Sequence, residues 1–85
     1  MVVVVLPSLL AREAGGRKQI EVDAETVGEA LRSLPVADLL FDERGELRRL
    51  VNVYVDGTDV RDSGGVGTTL SGGETLLVLQ AVAGG

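Results

Sequence analysis

The chain has no cysteine and no histidine among its 85 residues. The lack of cysteine excludes disulfides, a thiolate nucleophile and a cysteine-ligated metal or iron–sulfur cluster. The lack of histidine removes the commonest general base and the commonest metal ligand. We therefore expect a protein that is not itself an enzyme and that binds no metal or cofactor.

Positive charge is also scarce, since the chain has eight lysine and arginine residues but thirteen acidic residues, and its net charge is −5. The basic residues do not cluster beyond the pair Arg48-Arg49, which we interpret as a solvated entry to a strand rather than an anion site. This distribution argues against nucleic acid as a partner. The acidic balance favours solubility, a free monomer and, more weakly, docking to a basic protein surface.

An apolar segment at residues 2–10 has the composition of the hydrophobic part of a secretory signal. No lysine or arginine precedes it, Pro7 interrupts it, and it is too short to span a bilayer. We interpret it as part of the fold and expect a cytoplasmic protein with no membrane partner. The chain length and the 45% apolar composition indicate a single domain with one core.

The pattern of residues 2–22 predicts a β-hairpin. Residues 2–6 form a continuous β-branched run, which is typical of a strand buried on both faces. Residues 14–17 supply turn chemistry, and residues 18–22 then alternate polar and apolar side chains as a half-exposed strand does.

A helix is predicted next. Thr26 and Glu29 have the spacing of a capping box at its start, and Pro35 ends it. Gly28 inside this helix indicates either close packing or simple tolerance. The apolar face of the helix has residues at helical spacing: Val27, Ala30, Leu31 and Leu34.

The remainder of the chain predicts irregular structure and three strands. Residues 36–49 are less regular, with Leu39 to Phe41 expected over one end of the core and 42–45 in an exposed turn. A strand over residues 50–55 precedes the hairpin signal Asp56-Gly57. The return strand is expected near residues 59–61, loops at 63–67 and 71–74, and the last strand at 75–80.

This order of elements indicates an α+β fold of the β-grasp type. A hairpin, one helix across the sheet and a last strand beside the first give a mixed sheet with one main helix on one face. The apolar strands at the two ends of the chain fit its central parallel pair. We assign residues 1–82 to this domain and residues 83–85 to a flexible Gly-Gly tail.

Several motifs are better explained as structure than as chemistry. Gly65-Val66-Gly67 lacks the third glycine of a dinucleotide fingerprint, and no phosphate-loop lysine accompanies it. The carboxylate pairs Asp42-Glu43 and Asp59/Asp62 lie in solvated sequence without a basic or aromatic surround. No catalytic residue is therefore assigned.

The last five residues are the strongest functional candidate. Ala81, Val82, Ala83, Gly84 and Gly85 follow an apolar strand directly. Neither glycine has a Cβ, so the tail fits a channel too narrow for other residues. Fully extended, the five residues reach about 17 Å, which places the Gly85 carboxylate within another protein's active site.

The segment Thr75 to Gly85 resembles the tail of ubiquitin, although Ala81 and Ala83 stand where ubiquitin has arginines. That difference favours the bacterial sulfur carriers of the ThiS/MoaD family. Within the family, the block Val-Asn-Val-Tyr-Val-Asp-Gly-Thr-Asp-Val-Arg at residues 51–61, the glycine loop at 63–65 and the ending at 81–85 are most similar to the CysO-type carriers. The resemblance covers nearly the whole chain and is weakest over residues 36–47.

This resemblance implies a mechanism. An ATP-dependent, E1-like enzyme adenylates Gly85, sulfide or a persulfide displaces AMP, and the thiocarboxylate donates sulfur to a synthase that makes cysteine or another sulfur-containing metabolite. Two other functions share parts of the pattern. A ubiquitin-like modifier would join Gly85 to lysines, and a non-covalent adaptor would act through its sheet without needing Gly84 and Gly85.

Strand alternation also predicts a docking face. Leu76 and Val78 are expected under the helix, which leaves Leu77 and Leu79 on the open face of the sheet. An exposed apolar patch beside the tail is typical of a partner site. The alternative is that residues 36–49 fold over this face and bury both leucines.

Overall fold

The computed structural model describes residues 1–80 as a sheet of five strands with three short helices. The strands are β1 (Val2–Val5), β2 (Gln19–Val22), β3 (Val51–Val55), β4 (Thr58–Asp59) and β5 (Thr75–Gln80). The helices are α1 (Ser8–Glu13), α2 (Val27–Arg32) and α3 (Ala37–Leu40), and 3₁₀ turns follow at Val60–Asp62 and Gly65–Gly67.

The order of strands across the sheet is β2-β1-β5-β3-β4. The terminal strands β1 and β5 are parallel, whereas β1 with β2 and β3 with both β4 and β5 are antiparallel. This is the predicted β-grasp fold, and the last strand matches its predicted bounds, residues 75–80. Consequently Leu76 and Leu77, in the first half of β5, have a paired strand on each side, and Val78 to Gln80 pair with β3.

The core lies between one face of the sheet and helix α2. Every second residue of the central strands is buried there, and so is the predicted apolar face of the helix. The helix ends at Arg32, earlier than predicted, so the buried Leu34 lies beyond it. The core residues contributed by these elements are Val2, Val4, Val27, Ala30, Leu31, Val51, Val53, Leu76 and Val78.

Strand β1 differs from its prediction, since only alternate residues are fully buried. Val2 and Val4 are inaccessible, but Val3 and Val5 are partly exposed on the other face. A run of four valines carries no polar residue that would mark an exposed side. The prediction of burial on both faces is therefore wrong, because nothing among the described residues covers the second face of the sheet.

The connection from β1 to β2 contains helix α1, which the sequence analysis missed. The helix has no side-chain cap, so the usual start signal is absent. Leu10, Ala11 and Ala14 are buried, and their spacing of one and four residues is the signal that was available. Gly15 and Gly16 then adopt positive φ in the predicted turn.

Helix α2 begins as predicted. The Thr26 hydroxyl accepts a hydrogen bond from the Glu29 amide at 3.2 Å. The role of Gly28 is now defined, because a Cβ there would lie 3.1 Å from the carbonyl oxygen of Val66 and 2.8 Å from a terminal nitrogen of Arg32. Close packing of the 65–67 turn on α2 therefore explains the glycine.

The segment at residues 36–49 folds over one end of the core. Leu40 and Phe41 are buried and Leu39 is exposed, so only two of the three residues predicted to pack there do so. The turn at 42–45 is exposed, as predicted. Among residues 1–80, no helix is long and apolar enough to cross a membrane.

The hairpin after β3 has the predicted turn but a shorter return strand. Asp56 and Gly57 have φ of 47° and 89°, as the two central residues of a type I′ turn require. Strand β4 ends at Asp59, and residues 60–62 form a 3₁₀ turn. The prediction of a return strand through residue 61 is therefore wrong beyond Asp59.

Candidate functional site

The start of β5 is fixed by two carboxylates. Glu74 accepts hydrogen bonds from the Ser71 amide at 2.8 Å and the Gly72 amide at 2.7 Å. Asp56, in the hairpin turn, accepts from the Thr75 amide at 3.0 Å. These bonds set where the strand begins and therefore which residues point to each face of the sheet.

The pKa of Glu74 is lowered from its ordinary value of 4.5, chiefly because the Ser71 amide donates to the carboxylate. The pKa of Asp42 is lowered from 3.8 for the same reason, with the Glu46 amide as the main donor. Each carboxylate therefore holds a loop in place: Glu74 the loop at 71–74 and Asp42 the turn at 42–46. Among residues 1–80, no group of three or more acidic, histidine or cysteine side chains is arranged to hold a metal.

The alternation predicted for β5 is present. Leu76 and Val78 are fully buried, whereas Leu77 and Leu79 expose 37% and 41% of their surfaces. Residues 36–49 leave both leucines accessible, so the alternative of a covered face does not hold. The exposure needed for a docking site at Leu77 and Leu79 is therefore available.

Neighbouring strands extend this apolar surface. Across the sheet, Leu77 is in register with Val5 on one side and Tyr54 on the other. Leu79 is in register with Asn52. The side chains of Val5, Asn52 and Tyr54 are partly exposed. We call this surface the open face, defined by Val3, Val5, Asn52, Tyr54, Leu77 and Leu79.

Arg61 covers the outer edge of β3 beside the open face. Strand β4 pairs only with Tyr54 and Val55, so within residues 1–80 the first residues of β3 have no strand on that side. The Arg61 guanidinium fills the gap by donating to the Val51 carbonyl oxygen at 2.7 Å and the Asn52 side-chain oxygen at 2.6 Å. Sequence analysis did not identify this role, because it depends on where β4 ends.

The proposed reactive tail follows this part of the chain in sequence. Gln80 ends β5 and pairs with Val51. The sequence-predicted site residues Ala81, Val82, Ala83, Gly84 and Gly85 lie outside the described residues. The described part of the site is therefore the strand that leads to the tail, the open face and the surface around Gln80.

Comparisons with known proteins agree on one family. Residues 4–85 match the model of the ThiS family. The chain is 36% identical over 91 residues to the sulfur carrier protein CysO of Mycobacterium tuberculosis, covering 99% of this chain and 98% of that protein. It is 39% identical over 82 residues to small archaeal modifier protein 3 of Haloferax volcanii, covering 87% and 88%.

A solved structure extends the likeness to three dimensions. A chain in the crystal structure of the BexX/CysO complex of Amycolatopsis orientalis superposes with a TM-score of 0.85, at 36% identity and with 100% of both chains covered. The fold, the strand order and the sequence thus point to the same group of proteins.

Proposed function

The chain belongs to the ThiS family, and on this premise we propose that it is a sulfur carrier protein that bears sulfur at Gly85. The observation that carries the proposal is the full-length similarity to a protein named as a sulfur carrier, at 36% identity. The family match also runs through Gly84 and Gly85. In this role the protein is a co-substrate and its partner enzymes perform the catalysis.

The chemistry follows from the weakness of a carboxylate as an electrophile. An attacking nucleophile meets a resonance-stabilised anion that has no good leaving group. Adenylation of Gly85 by ATP releases pyrophosphate and makes AMP the leaving group. Sulfide then attacks the acyl carbon and displaces AMP, which leaves a thiocarboxylate. Because the chain has no cysteine, no thiol of its own competes for the activated acyl group.

The position of β5 supports delivery of this group. The strand lies between β1 and β3, with pairing to β1 over Thr75 to Leu77 and to β3 up to Gln80, so the residues before the tail are anchored in the sheet. Five residues beyond Gln80 span at most about 17 Å. We propose that Ala81, Val82, Ala83 and Gly84 fill the channel of a partner, since the two alanines and the glycine are small enough for a narrow passage.

The open face is proposed as the docking surface for the enzyme that activates Gly85. Leu77 and Leu79 lie on β5, three and one residues before Gln80, after which the tail begins. An enzyme that binds the tail would therefore lie close to these two leucines. Their burial against a partner would contribute hydrophobic stabilisation at the centre of the interface.

Two kinds of partner are proposed. One is an ATP-dependent, E1-like enzyme that forms the thiocarboxylate, and the other is a synthase that accepts the sulfur, for cysteine or another sulfur-containing metabolite. The existence of a BexX/CysO complex supports an assembly between a carrier of this kind and a second protein.

The test is an intact-mass measurement. The protein is incubated with ATP, sulfide and each E1-like enzyme of the same cell. We expect the mass to rise by the difference between sulfur and oxygen, with the change located on Gly85 by fragmentation. A variant lacking Gly84 and Gly85 is the matched control and should remain unchanged. An unmodified parent with every enzyme would overturn the proposal.

A second candidate function is that of a protein modifier. The 39% identity to a small archaeal modifier protein favours it, because that relative is named for modification rather than sulfur transfer. In this case Gly85 would be joined to lysines through isopeptide bonds. Blots of cell extracts under reducing conditions separate the two functions: a ladder of conjugates supports a modifier, and one free band supports a carrier.

A further inference from the structure

Charge is distributed unevenly between the two ends of the sheet. The parallel strands β1 and β5 finish at one end, where the antiparallel strands β2 and β3 begin. We call this the tail end, since Gln80 lies there. The connections 6–18 and 41–50 meet at this end and contain six basic and four acidic residues. The basic residues are Arg12, Arg17, Lys18, Arg44, Arg48 and Arg49, and the acidic ones are Glu13, Asp42, Glu43 and Glu46.

The opposite end of the sheet is acidic. Strands β2 and β3 finish there and β1 and β5 begin there. The adjoining segments 23–26, 56–57 and 71–74 contain four acidic residues and no basic residue: Asp23, Glu25, Asp56 and Glu74. The chain is acidic overall, but the connections at the tail end carry a net charge of +2, whereas the segments at the opposite end carry −4.

Two surface grooves meet at Gln80, and arginines line both. One groove, of about 390 Å³, lies between α1 and α3 and is lined in part by Arg12, Arg48 and Leu39. The other, of about 340 Å³, lies beside the start of β3 and is lined in part by Arg48 and Arg49. The guanidinium groups thus flank the end of β5 on two sides.

Glu13 and Asp42 line the same two grooves, but neither forms a salt bridge within 4.0 Å with these arginines among residues 1–80. The salt bridge found there joins Arg44 and Glu46, which line neither groove. Arg48 donates to the Asp38 carbonyl oxygen at 3.3 Å, and its positive charge helps to lower the pKa of Asp42. The nearby Asp42 carboxylate is occupied by the amides of Arg44 and Glu46, at 2.9 and 3.0 Å.

The reach of the tail forces a partner onto this surface. Five residues separate Gln80 from the reactive carboxylate, so the reaction centre lies within about 17 Å of Gln80. A channel mouth at that distance must cover the grooves beside Gln80. Complementary charge at such a rim raises the association rate and sets the orientation of docking.

We propose that Arg12, Arg48 and Arg49 form a cationic collar that recognises an acidic segment at the channel mouth of the enzyme that activates Gly85. The proposal rests on the proposed function and adds the chemistry of the partner's surface. It also reverses the expectation from net charge, which favoured a basic partner surface. The local charge, rather than the sum over the chain, faces the partner.

The first test uses a defined probe that does not depend on any enzyme. A hexaglutamate peptide is titrated into the isotope-labelled protein and followed by NMR, with hexaglutamine as the uncharged control. We expect shifts confined to the amides and guanidinium groups of Arg12, Arg48 and Arg49 and to Gln80. The shifts should vanish in about 1 M salt, where the Debye length is about 3 Å. Equal shifts over the whole surface, or none, would overturn the collar.

The second test uses the activating enzyme. The double variant R12E/R49E should raise KM for the carrier at least about tenfold with kcat nearly unchanged, because rim charges act on association. R44E reverses one charge instead of two, at a side chain that is 82% exposed and lines neither groove, and its KM should change by less than about threefold. R12Q/R49Q replaces the double variant if the latter fails to fold, as judged by its thermal melt.

The outcomes separate this proposal from the proposed function. If the parent is never converted to a thiocarboxylate, the carrier function fails, and the peptide titration still decides whether the collar binds acidic segments. If the parent is converted and R12E/R49E behaves like R44E, the collar fails while the carrier function stands.

Discussion

Replacing Leu79 with aspartate separates docking from folding. Leu79 exposes 41% of its surface, whereas its neighbour Val78 exposes none. Full burial of a leucine contributes about 1.5–3 kcal/mol, so losing the buried part of Leu79 costs about 1–2 kcal/mol. The low strand propensity of aspartate adds less than about 1 kcal/mol. An 85-residue domain has about 4–13 kcal/mol of stability, so we expect Leu79→Asp to remain folded.

Aspartate at the preceding position, Val78, provides a comparison in which the fold itself is expected to be lost. Val78→Asp places a carboxyl group in the core, where the lost apolar burial and the unpaired polar group together cost several kcal/mol. We expect this variant to be unfolded or nearly so. For Leu79→Asp, about 2 kcal/mol lowers Tm by about 8–16 °C in a domain of this size. Urea and thermal denaturation of the two variants measure the difference.

Activation is then measured on the folded Leu79→Asp protein. We expect thiocarboxylate formation to be lost, because the carboxylate breaks an apolar contact with the enzyme. Thr58→Asp is the control for added charge, since Thr58 is in register with Val55, which belongs to the opposite face. Normal activation of Leu79→Asp, or unfolding as severe as that of Val78→Asp, would refute the reasoning.

Three further predictions concern the parts that position the site. Gly28→Val should lower the free energy of unfolding by about 1–3 kcal/mol, as overpacking against the Val66 carbonyl does, and urea denaturation measures it. Arg61→Ala should uncover the edge of β3 and promote self-association, measured by analytical ultracentrifugation; a variant that stays monomeric would contradict the edge-covering role. Glu74→Gln should destabilise the protein at neutral pH. The lowered Glu74 pKa stabilises the fold above pH 4.5, and this contribution is lost as pH falls through that lowered value, so parent and variant should converge in acid.

Local patterns predicted the elements that bear on the site. The two-residue period of β5 fixed which leucines face outwards, and the Thr26–Glu29 spacing identified the start of α2. The order of strands and helix was sufficient for the β-grasp topology, because the two most apolar strands had to be central and parallel.

The missed features depend on what the fold brings together. Four valines in β1 gave no sign of an exposed face, since exposure there depends on the absence of a second layer. Helix α1 is too short and too weakly capped to show a clear pattern. Arg61 and the arginines beside Gln80 are distant in sequence from the residues that they approach in the fold. Only the strand topology places them at one end of the sheet.

The most direct test of the account is whether Gly85 acquires sulfur. The parent protein, the variant lacking Gly84 and Gly85, and Leu79→Asp are each incubated with ATP, sulfide and the E1-like enzymes of the same cell, and intact masses are recorded. The account predicts a parent whose mass rises by one exchange of oxygen for sulfur at Gly85, with both variants unchanged. A parent that stays unmodified, or a mass change located on any residue other than Gly85, would contradict it.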